Sequence, residues 1–414
     1  MAAKQLKCRE CGTEYPLEAR YVCSNCFGPL EVGYDHAKLS AVGEVRRRIQ
    51  GGPQNIWRYH DFLPLEGPQP RTRTGLPAGC TPLIRADRLA ERLGIGEVWV
   101  KNDAHNPTHS FKDRVVSVAA TRARELGFDT LACASTGNLA NSVAAHGAAL
   151  GMESYVLIPA DLEEQKVLAT GVYGTNLVKV RGNYDDVNRL CTELSGDREN
   201  WAFVNINMRP YYAEGSKTVA YEIAEQLGWE LPDRVVVPIA SGSLFTKIGK
   251  GFEEFIGLGL LDGEVPRMNG AQATGCSPVA TAFQAGQDFC RPVRPHTIAK
   301  SLAIGNPADG PYALDLARAT GGSIDMVDDQ EIRTGIRLLA ETTGIFTETA
   351  GGVTTAVLHK LAETGAIGAD ERVVIVITGE GLKTLDAVRG SFADYEVDPT
   401  IESFEQAFAE SVPV

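Results

Sequence analysis

Short runs of β-branched and aliphatic residues alternate along most of this chain with longer segments of helical character. A short apolar run bounded by turn residues is typical of a buried strand, and a longer amphipathic segment is typical of a helix. We predict strands at residues 98–101, 130–133, 154–158, 176–180, 202–205, 234–239 and 371–377. Helices are predicted at residues 111–126, 138–150, 163–172, 184–194, 214–227 and 245–255.

This alternation indicates the fold class. Strands separated by helices predict parallel sheets with helices on both faces. The continuously apolar strands agree, because strands of such sheets are buried on both sides. Two regions differ: residues 1–35 indicate a separate small module, and residues 36–80, rich in glycine and proline, predict a long connecting segment. We therefore predict an α/β protein with more than one sheet.

The composition narrows the class of function and the compartment. The chain has 414 residues, enough for two or three domains, and a formal net charge of -13 at pH 7. A protein this acidic is poorly suited to bind nucleic acid or an anionic membrane. Its nine cysteines are an odd number and do not resemble a disulfide framework. With no segment typical of a signal peptide or a membrane span, we expect a soluble, cytoplasmic protein.

Four of the cysteines form two Cys-x-x-Cys pairs near the start of the chain. Each pair can hold two thiolates on one side of a tight turn, and two such turns make a tetrahedral zinc site. With short strands predicted at residues 13–15 and 20–22, a structural zinc ribbon is the favoured interpretation. A dithiol redox pair and a ribbon without metal are the alternatives. The four candidate ligands are Cys8, Cys11, Cys23 and Cys26.

Lys112 is the first candidate for catalysis. It follows Ser110, a plausible N-cap of the helix predicted from residue 111. A lysine at a helix N-terminus faces the positive end of the helix dipole, which disfavours the ammonium form. Such a lysine is suited to form an imine with a carbonyl group. The alternative is an exposed lysine that pairs with Asp113.

Three further stretches lie where predicted strands end, which is where ligands bind in open α/β sheets. Asn138 begins a helix directly after Gly137, and residues 240–244 form a second strand-to-helix turn whose successive amides suit a phosphate group. Thr378 follows the last predicted strand. Pyridoxal phosphate needs a lysine, an amide cradle and partners for its ring atoms O3′ and N1. Each turn taken alone is equally consistent with an ordinary helix cap or a tight packing turn.

Together these stretches resemble the threonine synthases, pyridoxal-phosphate enzymes of the tryptophan-synthase-β-like class known as fold type II. The order and spacing of the motifs, from about residue 79 to residue 391, make the resemblance more specific than any one of them. Many relatives also have a cysteine-rich N-terminal extension. The motifs are Asn106-Pro-Thr-His-Ser-Phe-Lys-Asp113, Ser135-Thr-Gly-Asn138, Glu214-Gly-Ser-Lys-Thr218, Ile304-Gly-Asn-Pro307 and Thr378-Gly-Glu-Gly-Leu-Lys383.

The resemblance implies a role for each candidate residue. Lys112 would hold pyridoxal phosphate as a Schiff base and move protons during the reaction, while Asn138 would contact O3′ and Thr378 would contact N1. The phosphate cradle would be Ala240, Ser241, Gly242, Ser243 and Leu244. The substrate-binding residues would be Ser110, Thr136 and Arg209.

The resemblance also implies an architecture. After the zinc-ribbon-like module of residues 1–35, a large domain would comprise residues 36–105 and 205–414. A small domain would comprise residues 106–204. Both would contain doubly wound sheets, and a homodimer is the usual assembly of such relatives.

Two features depart from the family pattern. Residues 240–244 differ from the family's common Gly-Asn-Ala-Gly-Asn, a tolerable change because backbone amides bind the phosphate, and the second departure concerns the substrate. The family converts O-phospho-L-homoserine and water into L-threonine and phosphate by γ-elimination and β-addition of water. Relatives often have an arginine two residues before the Glu-Gly pair, where it grips the substrate phosphate, but this chain has Tyr212. Either the nearby Arg209 takes over that role, or the substrate differs. The alternative function is therefore another fold type II enzyme, such as a threonine or serine dehydratase or a β-replacing synthase.

Overall fold

The computed structural model of the chain describes residues 3–35, 41–66, 75–182 and 184–409, whose strands form three sheets. The strands are β1 (Ala3–Cys8), β2 (Glu14–Tyr15), β3 (Leu30–Tyr34), β4 (Leu83–Arg85), β5 (Glu97–Asn102), β6 (Thr130–Ala134), β7 (Glu153–Pro159), β8 (Asn176–Val180), β9 (Trp201–Phe203), β10 (Arg234–Pro238), β11 (Arg267–Ala273), β12 (Ile324–Val327) and β13 (Arg372–Ile377). The α-helices are α1 (Val42–Gln50), α2 (Asp87–Leu93), α3 (Lys112–Glu125), α4 (Asn138–Leu150), α5 (Glu164–Gly171), α6 (Tyr184–Asp197), α7 (Arg209–Glu214), α8 (Lys217–Gln226), α9 (Ser243–Gly257), α10 (Pro278–Gln284), α11 (Gly310–Ala319), α12 (Asp329–Thr343), α13 (Thr349–Glu363) and α14 (Ile401–Ala409). Short 3-10 helices lie at Ile56–Phe62, Asp103–His105, Lys300–Leu302 and Gly381–Val388.

Two of the sheets follow the predicted α/β pattern. The larger one has the strand order β12-β11-β10-β13-β5-β4, and the smaller one has the order β8-β7-β6-β9. All neighbouring strands are parallel except β4, which runs antiparallel to β5 at the edge of the larger sheet. The predicted parallel sheets are thus confirmed, with one antiparallel edge strand that the sequence pattern did not reveal.

Alternate residues of the central strands enter two different apolar cores. On β10, Val235 and Val237 pack with α8 and α9, whereas Val236 faces α12 and α13. On β13, Val374 and Val376 lie on the first side, and the alternating residues Val373, Ile375 and Ile377 lie on the second. Successive side chains of a strand point to opposite faces, so both faces must be apolar. This explains why these strands are continuous apolar runs.

The third sheet belongs to the N-terminal module, whose strand order is β2-β1-β3. Strand β2 agrees with the strand predicted at residues 13–15, but the one predicted at 20–22 is reduced to a single bridge between Val22 and Pro29. The main strands, β1 and β3, flank the cysteine turns. Leu6 and Val32 share one apolar core with α3 and α7, so the module packs directly on the helices beside the smaller sheet.

The prediction that residues 36–80 form a connecting segment is wrong for residues 41–66, which the structure describes. Residues 36–40 and 67–74 of that segment lie outside the described residues. Helix α1 and the 3-10 helix Ile56–Phe62 occupy this region. Their side chains Val45, Tyr59 and Phe62 are buried in the core against α8 and α9. Gly51, Gly52 and Pro53 separate two short helices and do not mark a linker.

Among the described residues, none of the helices has both the length and the apolar character needed to cross a bilayer.

Candidate active site

The loop before α3 is fastened to the end of β13. The amide of Phe111 donates to the carbonyl of Thr378 at 2.9 Å, and the amide of Glu380 donates to the carbonyl of His109 at 3.2 Å. Ser110 and Gly379 form an isolated bridge between the same two segments. Lys112 therefore begins α3 next to the carboxyl edge of the larger sheet, where a ligand is expected.

Lys112 does not pair with Asp113, which was the alternative interpretation of this lysine. The buried carboxylate of Asp113 accepts hydrogen bonds from the Thr108 amide at 2.6 Å, the Thr108 hydroxyl at 2.8 Å and Ser142 at 2.6 Å. Burial raises the pKa of Asp113, but hydrogen bonds from His146, Ser142 and Thr108 outweigh this and hold it below its ordinary value. Lys112 Nζ instead donates to the hydroxyl of Tyr212 at 3.0 Å.

Ser110 does not cap α3, contrary to the prediction. The N-cap residue is Phe111, and no side chain caps the helix. The Ser110 hydroxyl is fully buried and has no hydrogen-bond partner among the described residues. An orphaned buried hydroxyl beside Lys112 is a polar group that a ligand could satisfy.

Asn138 and Thr378, predicted from separate motifs, meet at one carboxylate. The side-chain amide of Asn138 donates to Glu348 at 2.9 Å, and the hydroxyl of Thr378 donates to the other oxygen of Glu348 at 3.3 Å. Lys383 Nζ donates to Asn138 Oδ1 at 2.8 Å. A Cβ at Gly379 would lie 2.6 Å from the Glu348 carboxylate, so only glycine fits after Thr378. These contacts bring the ends of β13, α4 and α13 together.

Burial changes the proton affinities in this cluster. It raises the pKa of Glu348, and the hydrogen bonds from Asn138 and Thr378 and the charge of Lys383 offset only part of the effect. Burial lowers the pKa of Lys383, which the charge of Glu348 offsets only in part. Both shifts favour the neutral forms, as expected for ionisable groups in a water-poor pocket.

Residues 240–244 form the predicted turn between β10 and α9. Gly242 has a φ of +97°, and a Cβ there would lie 2.8 Å from the carbonyl oxygen of Asp309. Helix α9 starts at Ser243 without a side-chain cap. The first amides of a helix have no acceptor within it, and the helix dipole adds positive potential, so this turn offers donors to a phosphate group.

Two of the three predicted substrate-binding residues lie beside these elements. Thr136 is half-buried in the loop directly before Asn138. Arg209 begins α7, and its guanidinium donates to the carboxylate of Asp309 at 2.7 Å. Asp309 in turn donates its amide to the carbonyl of Ser241 at 2.8 Å. Arg209 is therefore joined to the turn that would hold a phosphate.

These groups fit pyridoxal phosphate. The turn at residues 240–244 offers amides for its phosphate, Lys112 can react with its aldehyde, and Asn138 and Thr378 are polar groups for its ring atoms. The orphaned hydroxyl of Ser110 adds an unsatisfied donor in the same place.

The comparisons with known proteins agree with this site. The model of the pyridoxal-phosphate dependent enzyme family matches residues 75–379. A threonine synthase of Methanocaldococcus jannaschii is 40% identical over 386 residues, which cover 92% of this chain and 93% of that protein. The threonine synthase of Halalkalibacterium halodurans is 36% identical over 86% of this chain and 96% of that protein. This chain belongs to the threonine synthase family.

Solved structures share the fold of this threonine synthase family member at low identity. Processed threonine deaminase isoform 2 of Solanum lycopersicum matches with a TM-score of 0.65 at 19% identity, covering 90% of this chain and 92% of that one. Cysteine synthase of Entamoeba histolytica matches with a TM-score of 0.62 at 17% identity, covering 80% and 96%. At these identities the likeness concerns the fold alone. It agrees with the α/β architecture expected of fold type II enzymes.

Three residues of the threonine synthase site were not found from the sequence. Tyr212 was noted only as a replacement for arginine, yet it contacts Lys112. Glu348 precedes the glycine-containing start of α13, and Asp309 precedes α11, but neither position has a motif that indicates a contact with Asn138 or Arg209. The one signal available was that both are acidic residues at helix starts, which is an ordinary capping pattern.

The four N-terminal cysteines form a second cluster, apart from Lys112. Their sulfur atoms all lie within 4.8 Å of one another. The sulfurs of Cys8 and Cys26 are 3.5 Å apart, and those of Cys11 and Cys23 are 3.6 Å apart. A tetrahedron with Zn–S bonds of about 2.3 Å has sulfur–sulfur edges of about 3.8 Å. The cluster thus has the size and the ligands of a structural metal site.

Proposed function

We propose that this protein converts O-phospho-L-homoserine and water into L-threonine and phosphate, with Lys112 as the catalytic lysine. The observation that carries the proposal is the 40% identity to a threonine synthase over 92% of the chain. The meeting of Asn138, from the end of the smaller sheet, and Thr378, from the end of the larger sheet, at Glu348 supports it, with Lys112 in the segment fastened to Thr378. When bound, pyridoxal phosphate supplies an electron sink for negative charge on the amino-acid substrate.

The residues of the chain would divide the work as follows. Lys112 Nζ would take up and return protons at the substrate carbons, because the Tyr212 hydroxyl holds its amine close to the cofactor site. Asn138 and Thr378 would bind the ring, and the amides of residues 240–244 would bind the cofactor phosphate. Substrate contacts would come from Ser110, Thr136 and Arg209. In the reaction, phosphate would leave from Cγ of the substrate and water would add at Cβ.

The proposal is tested by supplying O-phospho-L-homoserine to the purified holoenzyme and measuring phosphate and threonine. We expect equal amounts of both products. The alternative, a dehydratase or β-replacing synthase of the same fold, is tested with threonine and serine as substrates. Formation of ammonia and keto acid without phosphate release from O-phosphohomoserine would refute the first function and support the second.

Tyr212 is proposed to hold the amine of Lys112 in place during proton transfer. We expect Tyr212→Phe to retain the covalently bound cofactor, seen in its absorption spectrum, and to lower kcat by about tenfold to a hundredfold, since the hydroxyl 3.0 Å from Nζ is lost. The comparison variant is Tyr211→Phe, whose hydroxyl donates to the Glu18 carbonyl and not to Lys112. An unchanged kcat in Tyr212→Phe would contradict this role.

We also propose that Cys8, Cys11, Cys23 and Cys26 bind one structural zinc ion. Elemental analysis of the purified protein should find about one zinc per chain, and Cys11→Ser should lose it together with several degrees of melting temperature, because three ligands bind the metal more weakly than four. Cys290→Ser, outside the cluster, should keep the metal. A Cys11→Ser variant with full zinc content would contradict the proposed ligand set.

We also propose that the protein is cytoplasmic and that it forms a homodimer. All nine cysteines are free thiols, which fits a reducing cytoplasm. A homodimer is supported by apolar side chains that stay exposed near the C-terminus, such as Phe392 at 70% and Ile401 at 73%. Light scattering of the purified protein at micromolar concentration should give twice the chain mass, and a monomer would contradict the assembly.

A further inference from the structure

The first cysteine turn of the N-terminal module reaches across to α11. Arg9, between Cys8 and Cys11, lies over the ring of Tyr312 with 3.5 Å between the guanidinium carbon and the ring centroid. Its Nη1 is 3.7 Å from Oδ1 of Asp309. The neighbouring Glu10 accepts a hydrogen bond from the Tyr312 hydroxyl. Arg9 is thus held by stacking and by charge against the start of α11.

Asp309 connects this contact to the candidate active site in two ways. Its second carboxylate oxygen, Oδ2, accepts from Arg209 at 2.7 Å, so Arg9 and Arg209 share one carboxylate. Its backbone amide donates to the carbonyl of Ser241, and its own carbonyl packs against Gly242 where a Cβ would not fit. A shift of Asp309 would therefore move both Arg209 and the turn proposed to hold the cofactor phosphate.

The charges of Arg9, Asp309 and Arg209 also link the N-terminal module to the candidate active site. Arg209 and Asp309 alone form a neutral pair, which would attract a phosphate dianion weakly. Arg9 also lies 4.0 Å from Glu31, but Lys247 and Lys250 pair with that carboxylate at 3.6 and 3.1 Å. Arg9, Asp309 and Arg209 therefore add one net positive charge at the point where Arg209 begins α7. Asp309 is 9% exposed, so these charges are partly shielded from water, and their effect on a nearby anion is stronger than at an open surface.

We propose that Arg9 is a positioning residue of the enzyme, which acts through Asp309 to orient Arg209 and the turn at residues 240–244. This inference rests on the proposed function for its substrate, O-phospho-L-homoserine, but not for its effect on cofactor binding. The N-terminal module would then contribute directly to the active site, in addition to any part that a metal has in its own folding.

The test measures steady-state kinetics and pyridoxal-phosphate affinity of the full-length chain. In Arg9→Ala we expect KM for O-phosphohomoserine to rise about tenfold with kcat within about twofold, because one charge-assisted interaction worth about a factor of ten is lost before chemistry begins. The dissociation constant of pyridoxal phosphate, titrated into the apoenzyme by fluorescence, should rise about threefold because the turn is less well held. Arg9→Lys should recover much of the lost substrate affinity, since it keeps the charge.

Two matched variants separate positioning from general damage to the module. Arg20→Ala removes an arginine whose partners, Glu18 and Ser24, both lie within the module, and it should change neither constant. Tyr312→Phe keeps the ring beneath Arg9 but removes the contact with Glu10, and it should also leave KM unchanged. If Arg9→Ala matches Arg20→Ala in both constants, or if Tyr312→Phe reproduces the rise in KM, the inference is wrong. If the wild-type protein releases no phosphate from O-phosphohomoserine, the proposed function fails, while the cofactor titration still decides the role of Arg9.

Discussion

Lys112→Ala should produce no measurable threonine and should hold pyridoxal phosphate only reversibly. The lysine begins α3 beside Thr378, and no other described lysine contacts Tyr212. Without the Lys112 amine, the cofactor has no covalent partner and the reaction has no proton carrier. The loss of either function lowers the rate by a large factor. We expect the rate of threonine formation to fall by at least about a thousandfold, and dialysis to remove the cofactor absorbance of the variant but not of the wild type.

Lys383 provides the control for this prediction. It is the other lysine of the site, with Nζ bonded to Asn138 and to the Thr108 carbonyl at 2.6 Å, and burial lowers its pKa, as an imine-forming lysine would require. Lys383→Met should nevertheless keep the cofactor through dialysis. Borohydride reduction of the wild type followed by peptide mapping should label Lys112. A label on Lys383 would overturn the assignment.

The sequence was sufficient to predict the parts of the site that depend on local structure. Lys112 and Asn138 begin helices directly after turn residues, and Thr378 follows an apolar strand, so secondary structure alone predicts that each lies at the end of an element, where ligands bind in α/β sheets. Only the family resemblance predicts that the three form one site across the two sheets. Contacts between distant segments could not be predicted in this way. Tyr212 reaches Lys112 from 100 positions away, and Glu348 reaches Asn138 from 210 positions away. No local pattern encodes either separation.

The same distinction applies to the fold. Strands β10 and β13 are buried on both faces and rich in valine and isoleucine, and both were predicted. Strand β11 was missed because its sequence, Arg-Met-Asn-Gly-Ala-Gln-Ala, contains no β-branched residue. It forms because it lies between β10 and β12, where hydrogen bonds and burial from both neighbours override weak propensity. Likewise, helix α1 was not predicted, because its three consecutive arginines obscure the apolar pattern, although Val45 and Ile49 are buried in the core.

A buried group of charges fixes α3 behind Lys112. Arg114 donates to Glu222 at 2.6 and 2.7 Å and to Asp103 at 2.7 Å, and Lys101 donates to Glu222 at 2.5 Å. The four side chains are at most 2% exposed. Two positive and two negative charges balance, so the group is stable only when complete. It joins β5, α3 and α8, and therefore holds the helix that carries Lys112 against the larger sheet.

Glu222→Gln should destabilise the protein by about 3–5 kcal/mol at pH 7, since it leaves a buried positive charge without a partner. Burial raises the pKa of Glu222, but Arg114 and Lys101 outweigh this and lower it to about 2 from an ordinary value of 4.5. Because the folded-state pKa is the lower one, the carboxylate stabilises the fold above about pH 4.5. That contribution, about 3 kcal/mol, is lost as the pH falls toward 2.

The urea concentrations at which wild type and Glu222→Gln unfold should therefore differ most at pH 7 and progressively less toward pH 3. Glu230→Gln is the matched control, because Glu230 also pairs with an arginine, Arg372, but is 66% exposed. Its cost should be under about 1 kcal/mol. If the two variants unfold at the same urea concentration at pH 7, the buried charges are not what holds α3 in place. A difference between Glu222→Gln and wild type that does not shrink in acid would contradict the lowered pKa of Glu222.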